Sequence, residues 1–210
     1  MEEKKAMNLG TEFSMEEEFY IRPRLANKKM KSAQDLSQTV YLYGISGCGK
    51  TAFIRDYLGK RRYHYYCAEQ LNEEELDIPL SDKQVIVVID DLHQLRTDSL
   101  REAIIKRIEL LARRQDIWLI LSGRSRMPSW LLPIYYRKVF TVIEEEDFLL
   151  SEAETMQYLN LWGLTLTEEE FKKATGLTGG IGIVVRLLAM ELSSGRPFDT
   201  NYIERMRNDF

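Results

Sequence analysis

Residues 39–54 read TVYLYGISGCGKTAFI, and this stretch decides the fold. The apolar run TVYLYG at 39–44 predicts a short strand that ends at a glycine. GISGCGKT at 44–51 then has the spacing of a phosphate-binding loop, Gly-x-x-x-x-Gly-Lys-Thr. A helix is predicted to follow through TAFIRDYL. Because a strand before the loop and a helix after it are the context that this motif requires, we predict a phosphate site here.

The residue types in the loop suit a phosphate chain. Glycines let backbone N–H groups converge on an anion without interference from a Cβ atom. Lys50 supplies a positive charge for the outer phosphates, and Thr51 offers a hydroxyl to Mg²⁺. The predicted nucleotide-binding residues of the loop are Gly44, Ile45, Ser46, Gly47, Cys48, Gly49, Lys50 and Thr51.

An acidic pair ends the second strongly apolar stretch, QVIVVIDD at 84–91. Its unbroken β-branched run fits a parallel strand covered on both faces, and ligands of such sheets bind at the carboxyl ends of the strands. We predict that Asp90 holds Mg²⁺ together with Thr51, usually through water. Two roles stay open for Asp91, which could orient an attacking water or cap the next turn.

The stretch LSGRSRMP at 121–128 brings arginines to the same edge of the sheet. A guanidinium at Arg124 or Arg126 could reach a γ-phosphate, because its fork matches phosphate oxygens. We favour Arg124, which follows the strand most closely; the alternative is a surface arginine. The predicted catalytic residues are thus Asp90, Asp91 and Arg124.

The rest of the chain alternates strands and helices up to about residue 144. Further strands are predicted at 62–68, 117–123 and 138–143, and an amphipathic helix at 97–114. The capping boxes SEAE at 151–154 and TEEE at 167–170 then predict helices, and no further strand is predicted after residue 144. We predict an α/β fold with a parallel-sheet core flanked by helices, followed by a small all-helical unit. The predicted boundaries are a flexible arm at 1–18, a nucleotide-binding domain at 19–146 and a helical unit at 147–210, with a hinge at 144–150.

Composition narrows the function further. The chain has 210 residues, a net charge of −4 and two cysteines, and its longest apolar runs are far shorter than the ~20 residues of a membrane helix. The acidic balance gives no reason to expect direct nucleic-acid binding by this segment. We expect a cytoplasmic protein with no disulfide framework and no membrane association.

Five segments in order resemble one family of regulatory ATPases. They are YIRPRL at 20–25, VYLYGISGCGKT at 40–51, VVIDDLHQL at 87–95, ILSGRSRMPSWL at 120–131 and TGGIGIVVRLLAMEL at 178–192. This order is similar to the N-terminal ATPase module of MalT-like, LuxR-type bacterial transcriptional regulators, which are P-loop NTPases of the STAND group. The resemblance implies ATP and ADP as ligands with Mg²⁺, and places Arg22 and Arg24 near the nucleotide.

The family would also imply a switch: ADP holds a closed monomer, and ATP with an inducer favours self-association. Its members continue into a sensor region and a helix-turn-helix DNA reader, which this chain lacks up to Phe210, so we expect the start of a longer regulator or a stand-alone module. Ile181 and Gly182 replace the family's usual Trp-Pro, which leaves the contact to the base open. We therefore predict a nucleotide-binding regulatory switch with weak ATPase activity. The alternatives are a P-loop kinase and an AAA+-type DNA-handling ATPase.

Overall fold

The structure, a computed structural model, describes residues 19–95, 99–137 and 140–195. The predicted arm at 1–18 and the end of the predicted helical unit, residues 196–210, lie outside the described residues.

A sheet of five parallel strands forms the centre of the fold, as the sequence predicts. The strands are β1 Thr39–Tyr43, β2 His64–Cys67, β3 Val85–Asp90, β4 Ile117–Gly123 and β5 Phe140–Ile143. They lie side by side in the order β2-β3-β4-β1-β5. Strand β4 therefore stands between β1, which leads into the glycine loop, and β3, which ends in the acidic pair. This order brings the ends of all three strands to one edge of the sheet.

Helices cover both faces of the sheet, which explains the apolar strands. The helices of the described residues are α1 Arg24–Asp35, α2 Lys50–Leu58, α3 Ser99–Arg113, α4 Leu132–Arg137, α5 Glu152–Leu161, α6 Glu168–Thr178 and α7 Gly182–Ser193. Helices α1 and α2 pack on one face, around Met30, Phe53 and Trp118. Helices α3 and α4 pack on the other, around Ile108 and Ile134. The α/β class predicted from the sequence is confirmed.

Helices α5 to α7 form a separate small core after β5. Both predicted capping boxes start helices: Ser151 accepts from the Glu154 N–H at the start of α5, and Thr167 accepts from the Glu170 N–H at the start of α6. The chain passes from one core to the other over two residues. Phe148 packs edge-on against Phe53 at 5.6 Å in the α/β domain, whereas Leu150 packs in the helical unit.

Residues 19–24, which we call the strap, touch both units. Phe19 stacks on Trp162 of the helical unit with ring centroids 4.6 Å apart, and the Arg24 N–H donates to Glu154 at 2.7 Å. Between these contacts, Arg22 binds Asp56 of α2 in the α/β domain at 2.5 Å. The strap therefore forms a second connection between the helical unit and the sheet domain, in addition to the chain between Phe148 and Leu150.

Candidate functional site

The glycine loop leaves β1 and enters α2 with the conformation that the motif predicts. Gly47 has φ +80° and Gly49 has φ +102°, which L side chains rarely adopt. Gly49 is the N-cap of α2, so Lys50 and Thr51 form the first turn of that helix. Its free N–H groups and the positive end of its dipole face the loop, as in anion sites at helix starts. The backbone is thus arranged to bind an anion.

Lys50 is buried inside the loop, with 7% of its surface exposed. Its ammonium donates to the carbonyl oxygens of Gly44 at 2.7 Å and Ile45 at 3.0 Å. Both acceptors are neutral, and Lys50 forms no ion pair with a carboxylate of the described residues. An incoming phosphate would take over from the carbonyls and supply the missing negative charge.

Asp90 lies at the centre of a hydrogen-bond network and is 1% exposed. Its Oδ2 accepts from Thr51 Oγ1 at 2.7 Å and from Tyr65 OH at 2.8 Å. Its Oδ1 accepts from the Asp91 N–H at 3.0 Å and from the Ser122 hydroxyl. Donors from α2, β2 and β4 thus fix the carboxylate beside the threonine hydroxyl, where the sequence places it.

Neither Tyr65 nor Ser122 is among the residues predicted from the sequence. Ser122 reaches Asp90 because β4 lies next to β3, a neighbour relation that no periodicity reveals. Tyr65 comes from β2, on the other side of β3. Burial, followed by the Asp90 carboxylate, raises the pKa of Tyr65, so its hydroxyl remains a donor at neutral pH. These two hydroxyls are positioning groups for the predicted metal ligand.

His93 follows the acidic pair, and its imidazole lies close to Asp91. Burial is the largest effect on the pKa of His93 and lowers it; the charges of Arg124 and Lys50 also lower this pKa, whereas Asp91 and Asp90 raise it. The His93 Nδ1 is 3.7 Å from Asp91 Oδ1, and Arg124 is exposed at the end of β4.

Asp91 has a left-handed backbone with φ +59° and is the N-cap of a short 3-10 turn at Leu92–Gln94, without a side-chain cap bond. Its carboxylate is therefore not used as a cap, the second role left open by the sequence. Arg124 and Arg126 are both exposed after β4, so the choice of Arg124 as the arginine near the phosphates stays a prediction.

The predicted strap arginines have other partners. The Arg22 guanidinium binds the Asp56 side chain and lies 5.7 Å from the ring centroid of Tyr57 on α2. The Arg24 backbone N–H binds Glu154. A nucleotide contact by either arginine stays a prediction.

Thr51 and Asp90 present oxygen atoms of the kind that Mg²⁺ uses in nucleotide sites. Among the described residues no group of three or more His, Cys, Asp or Glu side chains could hold a metal ion. Mg²⁺ does not need such a cage, because it is held by one or two protein oxygens together with phosphates and water. The Thr51 hydroxyl beside the Asp90 carboxylate fits this pattern.

Comparison with solved structures identifies the fold as that of P-loop NTPases. A Walker-type ATPase of Pyrococcus abyssi superposes with a TM-score of 0.65 at 15% identity, over 91% of this chain and 75% of that one. DnaA from Aquifex aeolicus bound to AMPPCP has a TM-score of 0.57 at 16% identity, over 90% and 68%. A RuvB variant from Thermotoga maritima has 0.54 at 15%, over 88% and 66%. At these identities the likeness concerns the fold.

No known protein-family profile matches the chain, and no curated protein matches it in sequence. Among the helices of the described ranges, none has the length and apolar character that crossing a bilayer requires.

Proposed function

We propose that this protein is a nucleotide-operated switch that binds ATP and ADP with Mg²⁺ and hydrolyses ATP slowly. The observation that carries the proposal is the meeting of three groups. A buried ammonium on Lys50 lies in a glycine loop, and the Thr51 hydroxyl in the same helix turn binds the Asp90 carboxylate at 2.7 Å. A phosphate chain with its metal ion needs these groups in this arrangement.

Slow hydrolysis follows from the shape of the acidic pair. In this proposal Asp91 orients the attacking water, and its side chain is one carbon shorter than that of a glutamate. Its left-handed backbone turns it towards His93 rather than along the strand. A general base that lies too far from the water for a short hydrogen bond accelerates hydrolysis only modestly, because proton transfer requires hydrogen-bond distance.

The switch requires that ATP and ADP favour different arrangements of the two units. The strap and the connection at 149–151 both link these units, and the start of α7 lies beside the glycine loop. Such small, separable contacts hold a closed arrangement without fusing the units into one core. In a bacterial transcriptional regulator of the STAND type, opening would release a surface for self-association, with sensor and DNA-reading domains in further parts of the protein.

The site is tested by Lys50→Ala with isothermal titration of ADP. Loss of a charged hydrogen-bond donor costs about 2–3 kcal/mol, which weakens binding roughly 30- to 150-fold. Lys60→Ala is the matched control, because Lys60 is exposed just after α2. Thermal unfolding of both variants checks the fold. Equal ADP affinity in the Lys50 variant and the wild type would remove the nucleotide site and the switch with it.

Self-association and turnover are separate readouts. Light scattering with a non-hydrolysable ATP analogue should show a larger species than with ADP, and phosphate release should be slow. The second candidate function is an AAA+-type ATPase, which the likeness in fold to RuvB and DnaA favours. Retention on a DNA column at low salt would support it, against the net charge of −4.

A further inference from the structure

A narrow pocket lies between the glycine loop and the start of α7. Its walls are Ile45 and Cys48 of the loop, Phe148 and Leu149 of the connection, and Ile181 with Gly182 at the start of α7. Glu145 supplies the one charged side chain of this lining. An apolar pocket with a single polar group beside a phosphate loop is the arrangement expected for a flat ring attached to a phosphate chain.

Glu145 is held in this pocket by the close approach of its backbone to Gly44 and by a hydrogen bond to one of its carboxylate oxygens. The Ile45 N–H donates to Oε2 at 3.1 Å. A Cβ atom at Gly44 would lie 3.2 Å from the Glu145 Cβ and 3.3 Å from its Cα, so the absence of a side chain at Gly44 permits this close approach. The carboxylate is therefore attached to the phosphate loop itself.

Glu145 lines the pocket, and its second oxygen, Oε1, has no hydrogen-bond partner among the described residues. A carboxylate oxygen accepts hydrogen bonds and repels other acceptors. It therefore favours a base that presents an amino group, and disfavours one that presents a carbonyl. Because Oε2 already accepts from the Ile45 N–H, Oε1 is the oxygen without a partner. It suits the exocyclic amino group of adenine, whereas guanine carries at the same ring position a carbonyl, which a carboxylate oxygen repels.

We propose that Glu145 selects the base: Oε1 accepts a hydrogen bond from the 6-amino group of adenine, while Ile45 and Ile181 lie against the ring. This inference rests on the proposed function and names the chemistry of the same site. Ile181 and Gly182 leave open which residue contacts the base. In this proposal the polar contact to the base comes from Glu145 and not from the start of α7.

The width of the pocket couples the base to the helical unit. As it stands the pocket is narrow, close to the space of a single water molecule, so a purine ring enters only when its walls separate. The loop wall is part of the sheet domain, whereas Ile181 and Gly182 begin α7. Adenine bound at Glu145 therefore holds the start of α7 away from the glycine loop.

The test measures affinities by titration for four ligands: ADP, IDP, the diphosphate of purine riboside, and inorganic pyrophosphate. IDP replaces the 6-amino group by a carbonyl, and purine riboside lacks it. The wild type should bind ADP at least tenfold more tightly than either of the other two nucleotides. This comparison needs no variant, so it holds whatever a substitution does to folding.

Glu145→Gln is the sharper test. Its amide oxygen can keep the bond to the Ile45 N–H and present an NH₂ group to the base, so preference should shift from ADP towards IDP by tenfold or more. Glu146→Gln removes the same charge one residue away at an exposed position and should leave the ratio unchanged. Pyrophosphate affinity should be similar in the wild type and the Glu146→Gln variant, and the ratio of ADP to IDP affinity cancels any change that loss of the Glu145 charge causes at the phosphates.

The outcomes separate the two ideas. If the wild type binds pyrophosphate and ADP but shows no preference for ADP over IDP, the base assignment fails and the phosphate site stands. The same conclusion follows if Glu145→Gln retains the wild-type ratio, or if IDP is preferred from the start. If the wild type binds neither pyrophosphate nor any nucleotide, the proposed function fails and the base assignment fails with it.

Discussion

Replacing Gly180 by alanine should separate the helical unit from the connection that leads into it. Gly180 has φ +75°, and a Cβ atom there would lie 2.3 Å from the Leu150 carbonyl oxygen and 3.2 Å from its nitrogen. The Leu150 N–H also donates to the Gly180 carbonyl at 2.8 Å. Because the obstacle is backbone on both sides, no side-chain rotation can relieve the clash.

The neighbouring Gly179 provides a matched control. It also has a left-handed backbone, with φ +56°, but a Cβ atom there would meet nothing within 4 Å. Alanine at either position bears the left-handed penalty of about 1–2 kcal/mol. At Gly180 alone, overpacking of about 1–3 kcal/mol and the loss of one hydrogen bond, worth about 1 kcal/mol, come in addition. We expect Gly180→Ala to lower the free energy of unfolding by about 3–6 kcal/mol and Gly179→Ala by about 1–2 kcal/mol.

Urea unfolding followed by circular dichroism measures both values. Limited proteolysis would show whether the extra loss at Gly180 comes from the helical unit, since cleavage should then concentrate around residues 149–151 and within α5 to α7. Equal destabilisation by the two substitutions would refute the reasoning, because it would mean that the close approach of Leu150 adds nothing to the cost of the left-handed backbone.

Two further predictions concern the acidic pair. Asp91→Asn should lower ATP turnover roughly 100-fold, because an amide is a poor base. ADP affinity should stay within about twofold and the fold should be kept, since asparagine tolerates a left-handed backbone. Unchanged phosphate release would leave Asp91 without a catalytic role. Tyr65→Phe removes one donor from Asp90 and should raise the Mg²⁺ concentration for half-maximal turnover roughly fivefold, at about 1 kcal/mol. Tyr66→Phe is its control, because the Tyr66 hydroxyl donates instead to the Glu75 carbonyl, and a shift of equal size in both variants would contradict the assignment.

Local sequence patterns predict the elements of this fold well. The strand before the glycine loop, the helix after it and the buried strand that ends in Asp90 all follow from short-range rules, and the structure has them. The helix starts at Ser151 and Thr167 were also predictable, because a capping box lies within four residues of one chain.

The lateral order of strands is not a local property, and most of the unpredicted contacts result from it. Ser122 supports Asp90 only because β4 lies between β1 and β3. Glu145 reaches the Ile45 N–H only because β5 lies next to β1, which places the end of β5 beside the loop. Residues 100 positions apart in sequence meet here through the sheet, so periodicity and motif spacing had no means of finding them.

Within the predicted hinge at 144–150, some residues contact the sheet domain and others contact the helical unit. Asp147 forms an ion pair with Lys29 of α1 at 2.6 Å, and Phe148 is inserted into the sheet domain, while Leu150 is bonded to Gly180. In the proposed switch, the helical unit would pivot on the torsions at Leu149, and the strap contacts to Trp162 and Glu154 would have to release. With α7 about 18 Å long at 1.5 Å per residue, a turn of ~20° there would displace its far end by ~6 Å. A small widening near the base would then become a displacement of several ångströms at the surface of the helical unit, which is enough to make or break a contact with another protein.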